Sequence, residues 1–193
     1  MPRSSDFAIT PAAIARFAVT TAAGLSLDLW SKAQAVVHLK NADPFDFIPG
    51  WLQFEYTENH GAVFGVAQGQ RWVFLVVSFL ALVFLTYLFS ASGRRAFYQI
   101  ILGMLLAGVL GNMYDRIAFG YVRDMIHALP MWPHFFPWIF NVADSLLCVG
   151  VGLMLVYSFF HSPPPSPSVP AEGRRPIEPR PHDERSPIVS ENP

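Results

Sequence analysis

Four stretches of the chain are apolar over lengths that suit a membrane-spanning helix, which needs about 20 residues to cross about 30 Å of hydrocarbon. They run over about 12–37, 72–90, 96–118 and 138–160. The second, which begins "WVFLVVSFL", contains no charged residue. The pattern predicts an all-α membrane protein with four transmembrane helices.

A connection over about residues 38–70 separates the first two spans. In "WLQFEYT", apolar and polar side chains alternate, which is typical of a half-exposed β-strand. The following "ENHGAVFG" contains Asn59 and Gly61, two residues that favour a turn. Aromatic side chains concentrate at the membrane–water interface, so those of this connection, Phe64 included, predict a small extracytoplasmic β-sheet on the membrane surface.

Basic residues in short segments indicate the orientation. Arg3 precedes the first span, and Arg94 and Arg95 separate the second from the third. The positive-inside rule places these segments, and both termini, in the cytoplasm. The end of the chain is rich in proline and poor in apolar residues, which predicts disorder. We therefore expect a membrane domain over 1–160 and a disordered cytoplasmic tail over 161–193.

The overall composition agrees with a chain surrounded by lipid. Hydrophobic residues make up 52% of the sequence and charged residues 14%, against about 25% charged in an average soluble domain. The net charge is -1, and no basic stripe is present that could hold phosphates, so no nucleic-acid partner is expected. We expect a monomer in contact with membrane lipid.

Aspartates recur at one depth in three of the spans. From the helical rise of 1.5 Å per residue, Asp28, Asp115 and Asp144 each lie within about 5–15 Å of the outer surface. Asp124 follows the third span, in a segment that must turn back over the membrane. Ionisable groups inside a membrane are costly and mark functional sites. The clustering predicts a site near the outer face.

Two of these aspartates follow an asparagine by three residues, so that both side chains share one helix face. Asn112 precedes Asp115, with Arg116 on the same face, and Asn141 precedes Asp144. Each amide can donate a hydrogen bond to its aspartate without changing the local charge. The spacing predicts two aspartate–asparagine pairs.

Purely structural interpretations remain open for the other charges. Asp115 beside Arg116 fits an interhelical ion pair that fixes packing. Asp28 and Lys32, four residues apart, fit a helix pair that contributes only a few tenths of a kcal/mol when exposed.

Asp124 beside Arg123 fits a solvated loop pair. Asp144 has no basic neighbour in its own helix, which makes a structural role hardest to argue there. The residues alone therefore favour Asp115 and Asp144 as a reactive pair.

Two close aspartates share one proton, because like charges a few ångströms apart cannot both form easily. The ionised partner can take a proton from water while the protonated one polarises a peptide carbonyl. This chemistry needs no metal or cofactor. A zinc site is not expected, since "HExxH" is absent and no histidine has ligand spacing with the carboxylates.

Two other classes of function remain as alternatives. Membrane carboxylates also build ion pathways, so a proton- or cation-coupled transporter is one. A transporter needs polar residues through the full thickness of the membrane. The cytoplasmic halves of the four spans are instead almost wholly apolar, with Arg16 the main exception. A non-catalytic membrane scaffold is the other.

Five ordered motifs resemble those of one family. They are "LDLWSK", "ENHGAVFG", "GNMYDR", "VRDMI" and "FNVADS". Over roughly residues 14–160 the chain resembles bacterial lipoprotein signal peptidase (signal peptidase II). Departures are small: Met125 stands where the family usually has Phe, and Leu29 where Gln is common.

The resemblance implies a four-helix aspartic endopeptidase of the bacterial inner membrane, with its site near the periplasmic face. Such enzymes cut the signal peptide from prolipoproteins immediately before a diacylglyceryl-modified cysteine. By their match to the family motifs, Asp124 and Asp144 are implied to be the catalytic pair. Asp124 thus takes the place of Asp115 in the pair that the residues alone favour. The supporting positions implied by the motifs are Asn59, Gly61, Asn112, Asp115, Arg116, Asn141, Asp28 and Lys32.

Overall fold

The computed structural model describes residues 9–61, 69–132, 134 and 138–161. The helices are α1 (Pro11–His38), α2 (Arg71–Ser90), α3 (Ala96–Ala118) and α4 (Val142–Phe160). The strands are β1 (Phe45–Ile48), β2 (Leu52–Asn59), β3 (Val122–Ala128) and β4 (Ile139–Phe140). Phe64 and the predicted tail from residue 162 onward lie outside the described residues.

All four described helices are long and apolar enough to cross a membrane. The first three match the predicted spans to within a residue at each end. The fourth prediction was wrong at its start, because 138–141 are not helical and α4 begins only at Val142. Asn141 caps the helix there and forms a reciprocal capping box with Asp144. This cap places Asp144 in the first turn of α4.

Helix α3 is the central element of the helix bundle. In its most apolar window 61% of the residues are buried, against 11% in each of the other three helices. Gly108 permits a close approach to α4, since a Cβ there would lie 2.6 Å from the carbonyl oxygen of Ala143. Gly103 is similarly close to Phe17 of α1. Small residues at such positions let helices pack closely, and Gly103 and Gly108 have this role in α3.

The strands form one antiparallel sheet in the order β1-β2-β3-β4. The predicted connection over 38–70 supplies only half of it, because β3 and β4 come from the segment between α3 and α4. β3 lies inside the sheet, and its register with β2 pairs Asp124 with Thr57. The sheet thereby carries an aspartate to the ends of the helices.

Candidate active site

Lys32 is the buried centre of a charged cluster between α1 and α3. Its ammonium lies 2.8 Å from Asp28 and 3.6 Å from Asp115, and all three side chains are fully buried. It also donates to Asn112 Oδ1 at 3.0 Å. The predicted Asp28–Lys32 pair therefore exists, but as a buried pair rather than an exposed helix pair. Burying an ion is costly, so each charge here depends on its partners.

Asp115 is held by a second cation, Arg123 of β3. The guanidinium binds both carboxylate oxygens, at 2.7 and 3.1 Å, and the backbone N–H of Arg123 adds a bond of 2.9 Å. The predicted Asp115–Arg116 ion pair is wrong: Arg116 instead donates to the carbonyl oxygens of Gly61 and Asn112, each at 3.3 Å. Two cations therefore face Asp115, and the pair with Asp144 that the residues alone favoured would have one strongly ion-paired member.

Asp124 lies on β3 with a side chain only 1% exposed. Its two oxygens accept hydrogen bonds from Asn141 Nδ2 at 2.6 Å and from Asn59 Nδ2 at 2.9 Å. The predicted loop pair with Arg123 is wrong, because adjacent side chains of a strand point to opposite faces. One face directs Arg123 to Asp115, and the other directs Asp124 to a set of neutral amides.

Asp144 is also held by neutral donors. Asn112 Nδ2 donates to its Oδ1 at 2.7 Å, and the backbone N–H of Asn141 faces its Oδ2 at 3.3 Å. The prediction that each amide donates to the aspartate three residues after it is therefore wrong: the Asn112 amide donates to Asp144 of α4 instead of Asp115. The Asn141 amide likewise binds Asp124.

Asn141 connects the two amide-held aspartates. Its Nδ2 donates to Asp124, and its Oδ1 accepts the backbone N–H of Asp144 at 3.0 Å. The same Nδ2 donates to Asn112 Oδ1 at 3.2 Å, and Asn112 in turn binds Asp144. One continuous set of hydrogen bonds therefore joins two carboxyl groups from different elements.

Burial raises the pKa of Asp124 to about 7, and the nearby charge of Asp144 acts in the same direction. Hydrogen bonds from Asn59 and Asn141, together with the charge of Lys32, oppose the increase in this pKa. A carboxyl group with such a pKa can both hold and release a proton near neutrality. The arrangement can therefore perform acid–base chemistry.

Two glycines shape the surroundings of the site. Gly61 donates its N–H to Asn59 Oδ1 at 3.0 Å, which turns the Asn59 amide nitrogen toward Asp124. At Gly111 any side chain would collide with the carboxylate of Asp28. Sequence reasoning missed the roles of Gly111 and Arg123. A signal for Gly111 was available, since it immediately precedes Asn112 in "GNMYDR".

A family model described as signal peptidase (SPase) II matches residues 20–160, well over half of the chain. The chain belongs to the signal peptidase II family. A lipoprotein signal peptidase of Enterococcus faecalis is 37% identical over 134 residues, which cover 69% of this chain and 81% of that protein. One of Listeria monocytogenes is 35% identical over 141 residues, covering 72% and 90%.

Solved structures agree with this signal peptidase II assignment at the level of the fold. A bacterial membrane enzyme solved by the in meso method at 2.3 Å resolution has a TM-score of 0.70 and 28% identity, covering 80% of this chain and 96% of that one. A second, at 1.9 Å, has a TM-score of 0.68 and 30% identity, covering 75% and 92%. The four-helix membrane fold with its small sheet is thus shared with known membrane enzymes.

Proposed function

We propose that this chain is a membrane-embedded aspartic endopeptidase that removes signal peptides from prolipoproteins, cutting before the lipid-modified cysteine. The observation that carries the proposal is the pair Asp124 and Asp144, two carboxyl groups joined through neutral amides rather than neutralised by cations. The names of the relatives supply the substrate class. The aspartic chemistry follows from the residues of the site.

The reaction begins with one proton shared by the pair and a water molecule between the two carboxyl groups. The ionised carboxylate removes a proton from that water, whose oxygen attacks the scissile carbonyl carbon. The protonated carboxyl donates a hydrogen bond to the carbonyl oxygen and stabilises the charge that develops there. Proton return to the leaving nitrogen breaks the C–N bond and restores the shared proton.

The remaining site residues support the pair without reacting. Asn59, Asn112 and Asn141 orient the two carboxyl groups through their amides. Arg116 and Gly61 attach the end of β2 to α3. The cluster of Asp28, Lys32 and Asp115 holds α1 against α3.

Location in the bacterial inner membrane, with both termini in the cytoplasm, fits the positive-inside rule. The pair would then lie near the periplasmic face, where the cleavage point of a bilayer-embedded signal helix also lies. An apolar recess of about 270 Å³ lies between α1 and the sheet, lined among others by Trp30, Phe54 and Met125. Such a lining suits an apolar substrate segment or acyl chain, and we expect the protein to act as a monomer.

The test is cleavage of a synthetic diacylglyceryl prolipoprotein by the purified full chain. We expect Asp124→Asn and Asp144→Asn to remove cleavage, because an amide can neither take a proton from water nor carry the shared proton of a carboxyl pair. Asp46→Asn, a change at an exposed aspartate that accepts a bond from Gln53, is the matched control and should cleave normally. Normal cleavage by both site variants would disprove the proposal. Cation flux through vesicles without any cleavage would instead support the transporter alternative.

A further inference from the structure

Lys32 touches neither proposed catalytic aspartate, yet it reaches one of them through Asn112. The question is how two carboxyl groups of the same residue type become chemically unequal. We infer that Lys32 is a positioning residue which, acting through Asn112, holds Asp144 as the carboxylate and leaves the shared proton on Asp124. This inference rests on the proposed function and deepens it by assigning the base and the acid.

The orientation of the Asn112 amide is fixed by its surroundings. An ammonium group can only donate hydrogen bonds, so Lys32 must face the amide oxygen. Asn141 Nδ2 donates to the same oxygen. The oxygen and nitrogen of an asparagine amide have nearly the same shape and can be interchanged. Here two donors point at the same atom, so that atom must be the oxygen. The amide nitrogen of Asn112 must therefore face Asp144.

Asp144 is consequently surrounded by groups that favour its ionised form. Both of its oxygens face N–H donors, one from Asn112 and one from the backbone of Asn141. Hydrogen bonds donated to a carboxylate stabilise the charged form. The group also lies in the first turn of α4, where the helix dipole favours negative charge. A base that must take a proton from water is well placed here.

Asp124 receives two amide bonds as well, but neither amide is polarised by a cation through its oxygen. The Asn59 oxygen accepts the N–H of Gly61, and the Asn141 oxygen accepts the N–H of Asp144, both neutral donors. The Asn112 oxygen instead accepts from an ammonium, and a charged donor strengthens the bonds that follow it in a chain. Asp124 also lies on a strand, without a helix N-terminus. The proton therefore rests on Asp124.

The charged groups on the elements that surround the pair, including those that face away from it, agree with this state. Three are cations and two are aspartates already paired with cations, which leaves one positive charge. A catalytic pair that holds one proton carries one negative charge and makes the cluster neutral. The five charged groups are Lys32, Arg116, Arg123, Asp28 and Asp115.

The test is the pH profile of kcat and KM for cleavage of a synthetic diacylglyceryl prolipoprotein by the full-length Lys32→Met variant. Loss of the ammonium makes the Asp144 carboxylate less favourable, so the acid limb of the profile should move to higher pH. The alkaline limb, set by Asp124, should move less, because Lys32 acts on Asp124 only by its charge and not through Asn112. We expect kcat to fall with little change in KM, because Lys32 does not touch substrate. Lys40→Met is the matched control, since Lys40 pairs with Glu58 at the surface, and its profile should superimpose on the wild type.

A second variant guards against loss of folding. Lys32→Met/Asp28→Asn removes the buried ion pair as a unit, keeps the cluster neutral, and should show the same shift of the acid limb. If the pH profile of either variant keeps the limbs of the wild-type profile and only its maximal rate is lower, Lys32 has a structural role and the inference is overturned. A wild type that cleaves at no pH would overturn the proposed function itself, and the inference with it.

Discussion

Two pairs of aspartates are linked through Lys32 and Asn112, and they differ in what holds them. Asp28 and Asp115 face cations, Lys32 and Arg123, at 2.7–3.6 Å. Asp124 and Asp144 are held mainly by asparagine amides and a backbone N–H. A carboxylate neutralised by a cation contributes cohesion, whereas one held by neutral donors keeps its ability to exchange a proton. Under the proposed function, this difference separates a scaffold from a reactive site.

Asparagine is the residue that makes this separation possible at membrane depth. An amide satisfies the lone pairs of a buried carboxylate without supplying a compensating charge. Burial and the charge of Asp144 raise the pKa of Asp124 to about 7, and the amide hydrogen bonds from Asn59 and Asn141 offset only part of this increase. A lysine in place of any of these amides would convert the reactive pair into another ion pair.

The largest effect is expected from removing either amide-held carboxylate. Asp124→Asn and Asp144→Asn should each lower cleavage by about 10²–10⁴-fold, the usual contribution of a general acid or base. Because the amide keeps the shape of the carboxyl, both proteins should remain folded. The measurement is the cleavage rate, with size-exclusion chromatography in detergent as the check on folding. Unchanged rates would remove the distinction between the two pairs.

The cation-held aspartates should show the opposite behaviour. Asp115→Asn leaves Lys32 and Arg123 short of a partner in a buried setting, and breaking such a pair costs about 3–5 kcal/mol of stability. Thermal unfolding should show the loss. Arg123→Met added to Asp115→Asn should recover part of it by removing the ion pair as a unit. An Asp115→Asn protein as stable as the wild type would contradict the structural role of Asp115.

Asn141 sharpens the comparison because it serves both the helix cap and the pair. Asn141→Ala should lose about 0.5–2 kcal/mol of stability from the cap. It should also lose the bond to the protonated Asp124, worth about 0.5–1.5 kcal/mol between neutral groups, or roughly 2–10-fold in rate. Ser145→Ala is the control, since its hydroxyl bonds only the Asn141 carbonyl in the same turn. Equal cleavage by both variants would contradict this role.

The smallest effect is a pH-dependent one. The folded-state pKa of Asp124, about 7, lies above the ordinary value of 3.8 because of burial and then the Asp144 charge. Between these two pH values the folded chain holds a proton that the unfolded chain releases. The stability that this proton contributes is fully present below about pH 4 and is lost as pH rises through about 7. Asp124→Asn should melt a few degrees above the wild type at pH 8. Near pH 4 the two proteins should melt together, and a constant difference would count against the raised pKa.

The same pKa bears on the reaction. A pair that needs its shared proton should lose activity as pH rises through about 7, when Asp124 ionises. Cleavage rates measured across a pH series will show whether the alkaline limb falls there.

The helices could be predicted from hydrophobicity because a bilayer fixes the length of an apolar segment. Three of four spans were correct to within a residue. The fourth was wrong at its start because "WIFN" is as apolar as the helix it precedes, and hydrophobicity alone does not register a short strand followed by a cap. β3 was missed for a related reason: "VRDMIHA" carries too many polar residues to read as a buried strand.

The pairing of the charges could not be predicted from neighbours in sequence. Arg123 and Asp124 are adjacent, but a strand sends them to opposite faces. Asn112 and Asp115 share a helix face, yet the asparagine binds an aspartate of another helix. The choice of partner for each charged side chain depended on packing between the helices and the sheet, which the sequence pattern does not contain. The resemblance to signal peptidase II supplied what local patterns lacked.

The most direct test compares Asp124→Asn with Asp115→Asn/Arg123→Met in one measurement: the initial rate of cleavage of a diacylglyceryl prolipoprotein per mole of folded protein. If neutral amides mark the reactive pair, the first variant loses nearly all cleavage while the second keeps most of the wild-type rate. The reverse result, with Asp124→Asn active and the ion-pair variant inactive although folded, would contradict the account.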